Sequence, residues 1–397
     1  MQDAPIDGCK LHRHCSNRWG DLERIATDAG VRFCGTCQAA VHWADNAEVA
    51  VSLGREGKCV ALGFLETPIV GEMPCIVGPR RALEPAQREA GLWGLLIGDA
   101  VGVPYEFHPP SELPANDAID LCPPAGFRRA HADVPAGTWS DDGAQALALL
   151  DTLLSSNELD LAHFAANLRG WRYEGRFAVG GVAFGLGRQT EKAINRLSCG
   201  DAPEKAGSDR EQDNGNGSLM RVYSLLMRDW RTDGALVAAA IAQSRLTHGH
   251  PRSHVACAFY CLWVEAIARH GVRDAWSLTE ATFMDVAMEN SLPPKEVRLV
   301  LDPSWRARAK GTGYVVDTLW SARIAVEETS DYASCIRRAI AFGHDTDTTA
   351  AVAGAAAGVL YGLEGIPAEW WHALRGRDIL DLLLERFRGR TAHSMVC

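Results

Sequence analysis

Ala341-Phe342-Gly343-His344-Asp345-Thr346-Asp347-Thr348-Thr349, followed by small residues from Ala350 to Leu360, decides how this chain is read. Two carboxylates at alternate positions and a hydroxyl directly after them offer several hard oxygen ligands to one small region, which is what Mg²⁺ or Mn²⁺ requires. Gly343 gives a flexible approach, and the run of Ala and Gly predicts a closely packed helix entered at Thr348. The free N–H groups of that helix start would help hold the acidic cluster and any phosphate arriving with a metal. Taken alone, the same residues also describe an ordinary Asp/Thr helix cap.

A second acidic cluster lies far upstream. Trp139-Ser140-Asp141-Asp142-Gly143 precedes the apolar run Ala144 to Leu150, a helix whose start Ser140 or Asp141 can cap. Adjacent carboxylates repel and desolvate badly unless a cation compensates them. Two such clusters at helix starts therefore predict opposite walls of one divalent-metal site.

Bulk properties narrow the class. At 397 residues the chain can bury a large core and carry a small second domain, and 47% apolar residues argue against disorder. A formal charge of -10 gives no general electrostatic reason to bind nucleic acid. The segment Met1 to Asp7 lacks the basic and apolar parts of a signal peptide, and no stretch is apolar enough to span a bilayer, so the expectation is a soluble cytoplasmic protein.

The cysteines are unevenly spread. Cys9, Cys15, Cys34, Cys37 and Cys59 precede residue 60, and Cys34-Gly35-Thr36-Cys37 has the knuckle spacing that suits tetrahedral zinc. Val31 to Phe33 leads in, Val41 to Trp43 leads out, and Lys58 to Leu62 returns as a last strand. Residues 1–70 are thus expected to form a zinc-ribbon-like module with structural Zn²⁺ on Cys15, Cys34, Cys37 and Cys59, His42 being the substitute for Cys59. A segment this small has difficulty forming a core without a metal or help from the main domain. Buried thiols without metal are the alternative; a thioredoxin-like pair is disfavoured because no βαβ pattern surrounds it.

Residues 71–85, with Pro74, Pro79 and Pro85, read as a linker, and helical periodicity starts at Ala86. Gly91, Gly94 and Gly98 allow close approach of another helix or a ligand, and Val103-Pro104-Tyr105 ends the helix, leaving Glu106 in the following loop. Asp213-Asn214-Gly215-Asn216-Gly217-Ser218-Leu219-Met220-Arg221 passes from a turn into helix, exposing backbone donors to an anion. Further helices are expected around 161–171, 237–244, 255–268, 315–325 and 332–341, with an exposed charged insert at 293–312. Strand signals are sparse after residue 85. The main domain, 86–385, is therefore read as all-α, with 386–397 as a C-terminal tail.

Gly98-Asp99-Ala100 with Glu106, Ser140-Asp141-Asp142, Gly215 to Arg221, Thr247-His248 and Asp345-Thr346-Asp347-Thr348, in this order and spacing, resemble the ADP-ribosylglycohydrolase family. The resemblance implies an all-α fold with two Mg²⁺ or Mn²⁺ ions between the acidic clusters, on Ser140, Asp141, Asp142, Asp345, Asp347 and Thr348. It implies catalytic roles for Glu106, Asp141, Asp142 and Asp347, with Asp99, Asn216, Gly217, Ser218 and His248 near the ADP-ribose. The implied reaction is hydrolysis of the N-glycosidic bond of ADP-ribosyl-arginine on protein, as in the family's bacterial arginine-directed and dinitrogenase reductase-activating members. Two departures bear on linkage specificity: Gly185 follows Phe184 where many members have an aspartate, and Gly143 stands where many have Thr. O-linked ADP-ribosyl-serine or small conjugates are the enzymatic alternative. A non-catalytic immunity protein that occludes an ADP-ribosyltransferase toxin is the alternative of another class.

Overall fold

The structure is a computed structural model that describes residues 6–7, 22–24, 30–34, 39–44, 49, 53, 58–62 and 82–394. The chain divides into two units, Met1–Arg81 with Trp230–Thr232, and Ala82–Asp229 with Asp233–Cys397.

Within the first unit the described residues form a five-stranded sheet from β1 (Ile6–Asp7), β2 (Glu23–Arg24), β3 (Val31–Cys34), β4 (Ala39–Ala44) and β5 (Cys59–Leu62), in the order β1-β5-β4-β3-β2. All pairs are antiparallel except β4 with β5. Val41, Ala44, Val60 and Ala61 are buried, giving these short strands the apolar contacts they need. Cys34 is buried and sits opposite Ala39, Cys59 sits opposite Val41, and His42 lies between Val31 and Val60. Cys15, Cys37 and the side chain of Cys59 lie outside the described residues. Of the expected zinc ribbon, the structure carries the small sheet. Most of the expected 71–85 linker is likewise outside the described residues.

The second unit is helical. Its longer helices are α1 (Pro85–Gly102), α2 (Asp141–Ser155), α3 (Leu161–Glu174), α4 (Arg188–Ser198), α5 (Asp233–Arg245), α6 (Pro251–His270), α7 (Val272–Glu289), α8 (Val315–Glu327), α9 (Tyr332–Ile340), α10 (Thr346–Tyr361) and α11 (Arg377–Ser394). No helix among the described residues is long and apolar enough to cross a membrane.

The centre of this unit is the pairing of α1 with α10. Every residue from Thr346 to Val359 is buried, as a helix without a polar face must be. The two helices touch through glycines. A methyl group on Gly94 would strike the carbonyl oxygen of Gly354, one on Gly98 that of Ala350, and one on Gly358 that of Ala90. Further along, Gly102 lies against the backbone of Asp347, and the Thr346 hydroxyl donates to Gly102 O at 2.8 Å. The small residues expected to permit close packing in two separate stretches thus pack on each other and bring Asp99 and Glu106 next to Asp345 and Asp347.

Several sequence expectations are corrected in detail. α10 begins at Thr346 rather than Thr348, with Asp345 as the flanking residue. The run after Gly217 enters a 3₁₀ helix, Val222–Met227, rather than an α-helix. The 293–312 stretch, expected as an exposed insert, is exposed only in part: it holds short helices Pro294–Val300 and Trp305–Arg308, with Lys295, Arg298, Arg306, Arg308 and Lys310 exposed but Val297 and Val300 buried and Glu296 paired to Arg252 at 2.8 Å. The residues expected as a tail from 386 continue α11 to Ser394.

Candidate active site

Loops and helix starts meet at the end of the α1–α10 pair. The first is the start of α2. Ser140 is its N-cap, accepting the Asp142 N–H at 3.3 Å, and the carboxylate of Asp99 on α1 accepts the Ser140 N–H at 3.0 Å and the Gly143 N–H at 2.8 Å. Asp99, expected to face substrate, is fully buried behind the cluster and ties α2 to α1. Burial, opposed by those backbone donors, raises its pKa to about 7.

The second wall is the start of α10. The Asp347 carboxylate accepts the Thr348 N–H at 2.9 Å, and the Thr348 hydroxyl crosses to Asp142 Oδ2 at 3.2 Å. The two acidic clusters therefore face one another, as their sequence contexts predicted. Glu106, Asp345 and Asp347 each have a potential ligand atom within 4.8 Å of the others, so the loop glutamate expected in a catalytic role and not among the metal ligands also belongs to the cluster. Asp142 Oδ1 is buried without a hydrogen-bond partner.

Asp141, Asp142 and Asp347 all have pKa values pushed well above the usual carboxylate range, first by burial and then by one another and their acidic neighbours. Such a set is stable only when protons or a cation neutralise it. All donors are hard oxygens, and one buried carboxylate oxygen has no protein partner, so the residues fit a divalent ion of the Mg²⁺ or Mn²⁺ type.

The third element is the turn at Asn214–Ser218. Its backbone is clamped by Asn216 N–H to Gly313 O at 3.1 Å and Val315 N–H to Asn214 O at 3.0 Å. The Asn216 amide donates to Asp345 Oδ2 at 2.8 Å and Thr318 Oγ1 at 3.0 Å, joining the turn to the cluster. His248 is buried beneath the turn, where a methyl on Gly217 would press on its ring, and its Nδ1 is 2.8 Å from Thr247 Oγ1. Burial, reinforced by Arg221, lowers its pKa to about 3, so the ring is neutral. Ser218 is fully buried and accepts from the Ser244 hydroxyl at 2.9 Å. Asn216 is thus brought to the acidic cluster, whereas Ser218 and His248 lie within and beneath the turn.

Sequence reasoning assigned no role to Arg221, Gln145 or His131. Arg221 is fully buried and donates to Gln243 Oε1, Gln145 Oε1, Gly217 O, Gln243 O and Thr247 Oγ1 at 2.8 to 3.0 Å, while Gln145 donates to Asp141 Oδ2 at 3.2 Å. One guanidinium therefore links the turn, the His248 loop and, through Gln145, the acidic wall at Asp141. It stood within a quoted motif, but only the fold reveals its partners. His131 contacts Glu106 Oε2 through Nε2 at 2.6 Å from a loop with no legible motif. Gly185 has φ 81°, and a side chain there would strike Asp141 Oδ1, so the noted departure lies directly over the cluster.

A cavity of about 410 Å³ opens beside the cluster, lined by Glu106, Phe107, Thr312, Gly313, His344 and Asp345. This arrangement of facing carboxylates under a Gly-Asn-Gly turn has counterparts. The chain is 32% identical over 302 residues to the ADP-ribosylarginine hydrolase Tri1 of Pseudomonas putida (strain GB-1), covering 75% of this chain and 76% of that protein. It is 28% identical over 329 residues to the Tri1 protein of the same description from Serratia proteamaculans (strain 568), covering 81% and 82%. The solved structure of an ADP-ribosylglycohydrolase-related protein complex superposes with a TM-score of 0.61 at 28% identity, covering 77% of this chain and 98% of that one. Residues 86–395 match the family described as ADP-ribosylglycohydrolase, and the chain belongs to that family.

Proposed function

We propose that this protein hydrolyses the N-glycosidic bond of ADP-ribosyl-arginine on proteins, releasing ADP-ribose and restoring the guanidinium. The observation that carries this reading is the convergence of Glu106, Asp345 and Asp347 opposite Asp142, with one Asp142 oxygen buried and unpartnered. The arginine linkage is supported by likeness to the two Tri1 proteins.

Ser140, Asp141, Asp142, Asp345, Asp347 and Thr348 would hold two Mg²⁺ or Mn²⁺ ions. When bound, such ions supply Lewis-acid polarisation of ribose hydroxyls and an oriented water. The chain's own residues do the rest. In the overall reaction water delivers OH to the anomeric carbon, the carbon–nitrogen bond breaks, and the leaving guanidine nitrogen takes up a proton. Glu106 is the candidate to carry that proton: its pKa is raised, mainly by burial and despite the hydrogen bond from His131. The Asn216 turn would lie against the ADP-ribose, its amide holding Asp345 and Thr318 in place.

The test is incubation of the purified protein and Mg²⁺ or Mn²⁺ with labelled arginine-, serine- and nucleic-acid-linked ADP-ribosyl substrates. Release from the arginine linkage is expected. Release from serine alone would reassign the linkage, and no release from any would remove the enzymatic reading.

A further inference from the structure

Among the described residues, five that are not glycine have positive φ, and three of these gather at Glu106: Phe107 at 67°, His131 at 48° and His344 at 60°. A bulky residue in this region is uncommon and persists only where its surroundings over-determine it; such residues concentrate at working sites. Here the restraint is visible. The Phe107 N–H donates to His344 O at 2.6 Å, and the His344 N–H donates to His108 O at 2.7 Å.

The result is an aromatic ring turned outward. Phe107 is 71% exposed, so core packing does not account for it. Its ring centroid lies 5.6 Å from that of His131, which lies 5.1 Å from that of Phe184, and His131 in turn contacts Glu106. Phe184 is followed by Gly185, where an added side chain would strike Asp141 Oδ1. Three rings in tilted contact therefore border the acidic cluster, and the cavity lined by Phe107 is also lined by Glu106 and Asp345.

Aromatic faces beside carboxylates suit a flat, weakly hydrated cation. A guanidinium gains from both the ring quadrupole and the negative potential, whereas a neutral seryl oxygen gains from neither. We propose that Phe107, backed by His131 and Phe184, is the subsite that holds the guanidinium of the modified arginine during cleavage. This deepens and rests on the hydrolase reading above, and it makes Phe107 a determinant of linkage specificity.

The test uses the full chain with Mn²⁺ and ADP-ribose and needs no turnover. Ethylguanidinium and ethylammonium are titrated by NMR into wild type, Phe107→Ala and Phe107→Tyr, with Mn²⁺ affinity and melting temperature measured on each. The expected result is ethylguanidinium binding to wild type and Phe107→Tyr, weakened about fivefold in Phe107→Ala, with ethylammonium weaker throughout. Equal binding by Phe107→Ala, equal binding of ethylammonium, or no ethylguanidinium binding to wild type would overturn the proposal. So would a parallel fall in Mn²⁺ affinity in Phe107→Ala, since the ring would then be supporting the cluster. A wild type that binds ethylguanidinium through Phe107 but cleaves no arginine linkage would remove the hydrolase reading and leave the subsite standing.

Discussion

The Thr348 hydroxyl donates to Asp142 Oδ2 at 3.2 Å, joining the first turns of two helices whose residues are 206 positions apart in sequence. That bond spans the gap between the acidic walls, and the other oxygen of Asp142 has no protein partner. Replacing Asp142 with Asn removes one buried charge from a mutually repelling set. In chelator the variant should melt above chelated wild type, while the rise in melting temperature that Mn²⁺ gives wild type should largely vanish, together with hydrolysis. Calorimetry with and without Mn²⁺ checks both; an undiminished Mn²⁺ response would remove Asp142 from the ligand set.

The raised carboxylate pKa values give a signed pH dependence. A carboxylate whose folded pKa lies above its unfolded value holds its proton more tightly when folded, so stability is lost as pH rises from the unfolded toward the folded pKa. Asp99, raised to about 7, and the more strongly raised Asp141, Asp142 and Asp347 all act in this direction. Metal-free protein should therefore melt lower at pH 7.5 than at pH 5.5, and Mn²⁺ should stabilise more at the higher pH, because it competes with protons for the same oxygens. Melting curves at the two pH values, with and without chelator, measure this; a metal-free protein more stable at pH 7.5 would contradict it.

Glu106→Gln keeps the shape and the contact with His131 but cannot transfer a proton. Turnover should fall by about 10² to 10⁴-fold, the range for loss of a general acid or base. Mn²⁺ affinity should fall less than in Asp347→Asn, and comparison of kcat with Mn²⁺ titrations separates proton transfer from ligation.

Arg221→Met leaves the Gly217 and Gln243 carbonyls without their buried donor. Each stranded group costs about 1–3 kcal/mol, so denaturant titration should register a loss of several kcal/mol. Mn²⁺ affinity should fall too, since Gln145 loses the partner that orients it toward Asp141. Wild-type stability in the variant would refute the linking role.

Gly354→Val forces a branched side chain into the Gly94 carbonyl. Overpacking of this kind costs about 1–3 kcal/mol or more, and because the helix pair sets the spacing between Glu106 and Asp347, Mn²⁺ affinity should drop with stability. Substitution of the open Gly187 serves as the control and should change neither.

The local content of the site was legible in the sequence. Ser140 capping α2, the acidic pairs at two helix starts and the glycines of α1 and α10 all follow from rules that act over a few residues: capping, like-charge repulsion and small-residue packing. So was the all-helical character of the main unit, because helical periodicity is repeated in many segments there.

What the sequence left open depends on contacts between distant segments. Nothing local says that Asp99 spends its carboxylate on the N–H groups of Ser140 and Gly143, that Arg221 reaches Gln145 and Thr247, or that His131 meets Glu106. Each polar group must find a partner once buried, but only tertiary packing decides which one. The 293–312 stretch was legible only in part for the same reason: most of its charges are exposed, but Glu296 is buried against Arg252. The sequence by itself determined which acidic residues and capping hydroxyls stand at the helix starts, because residue type and cap geometry are local. The tertiary structure alone decided which of them meet, because the close α1–α10 contact fixes the distance between walls that the chain keeps far apart.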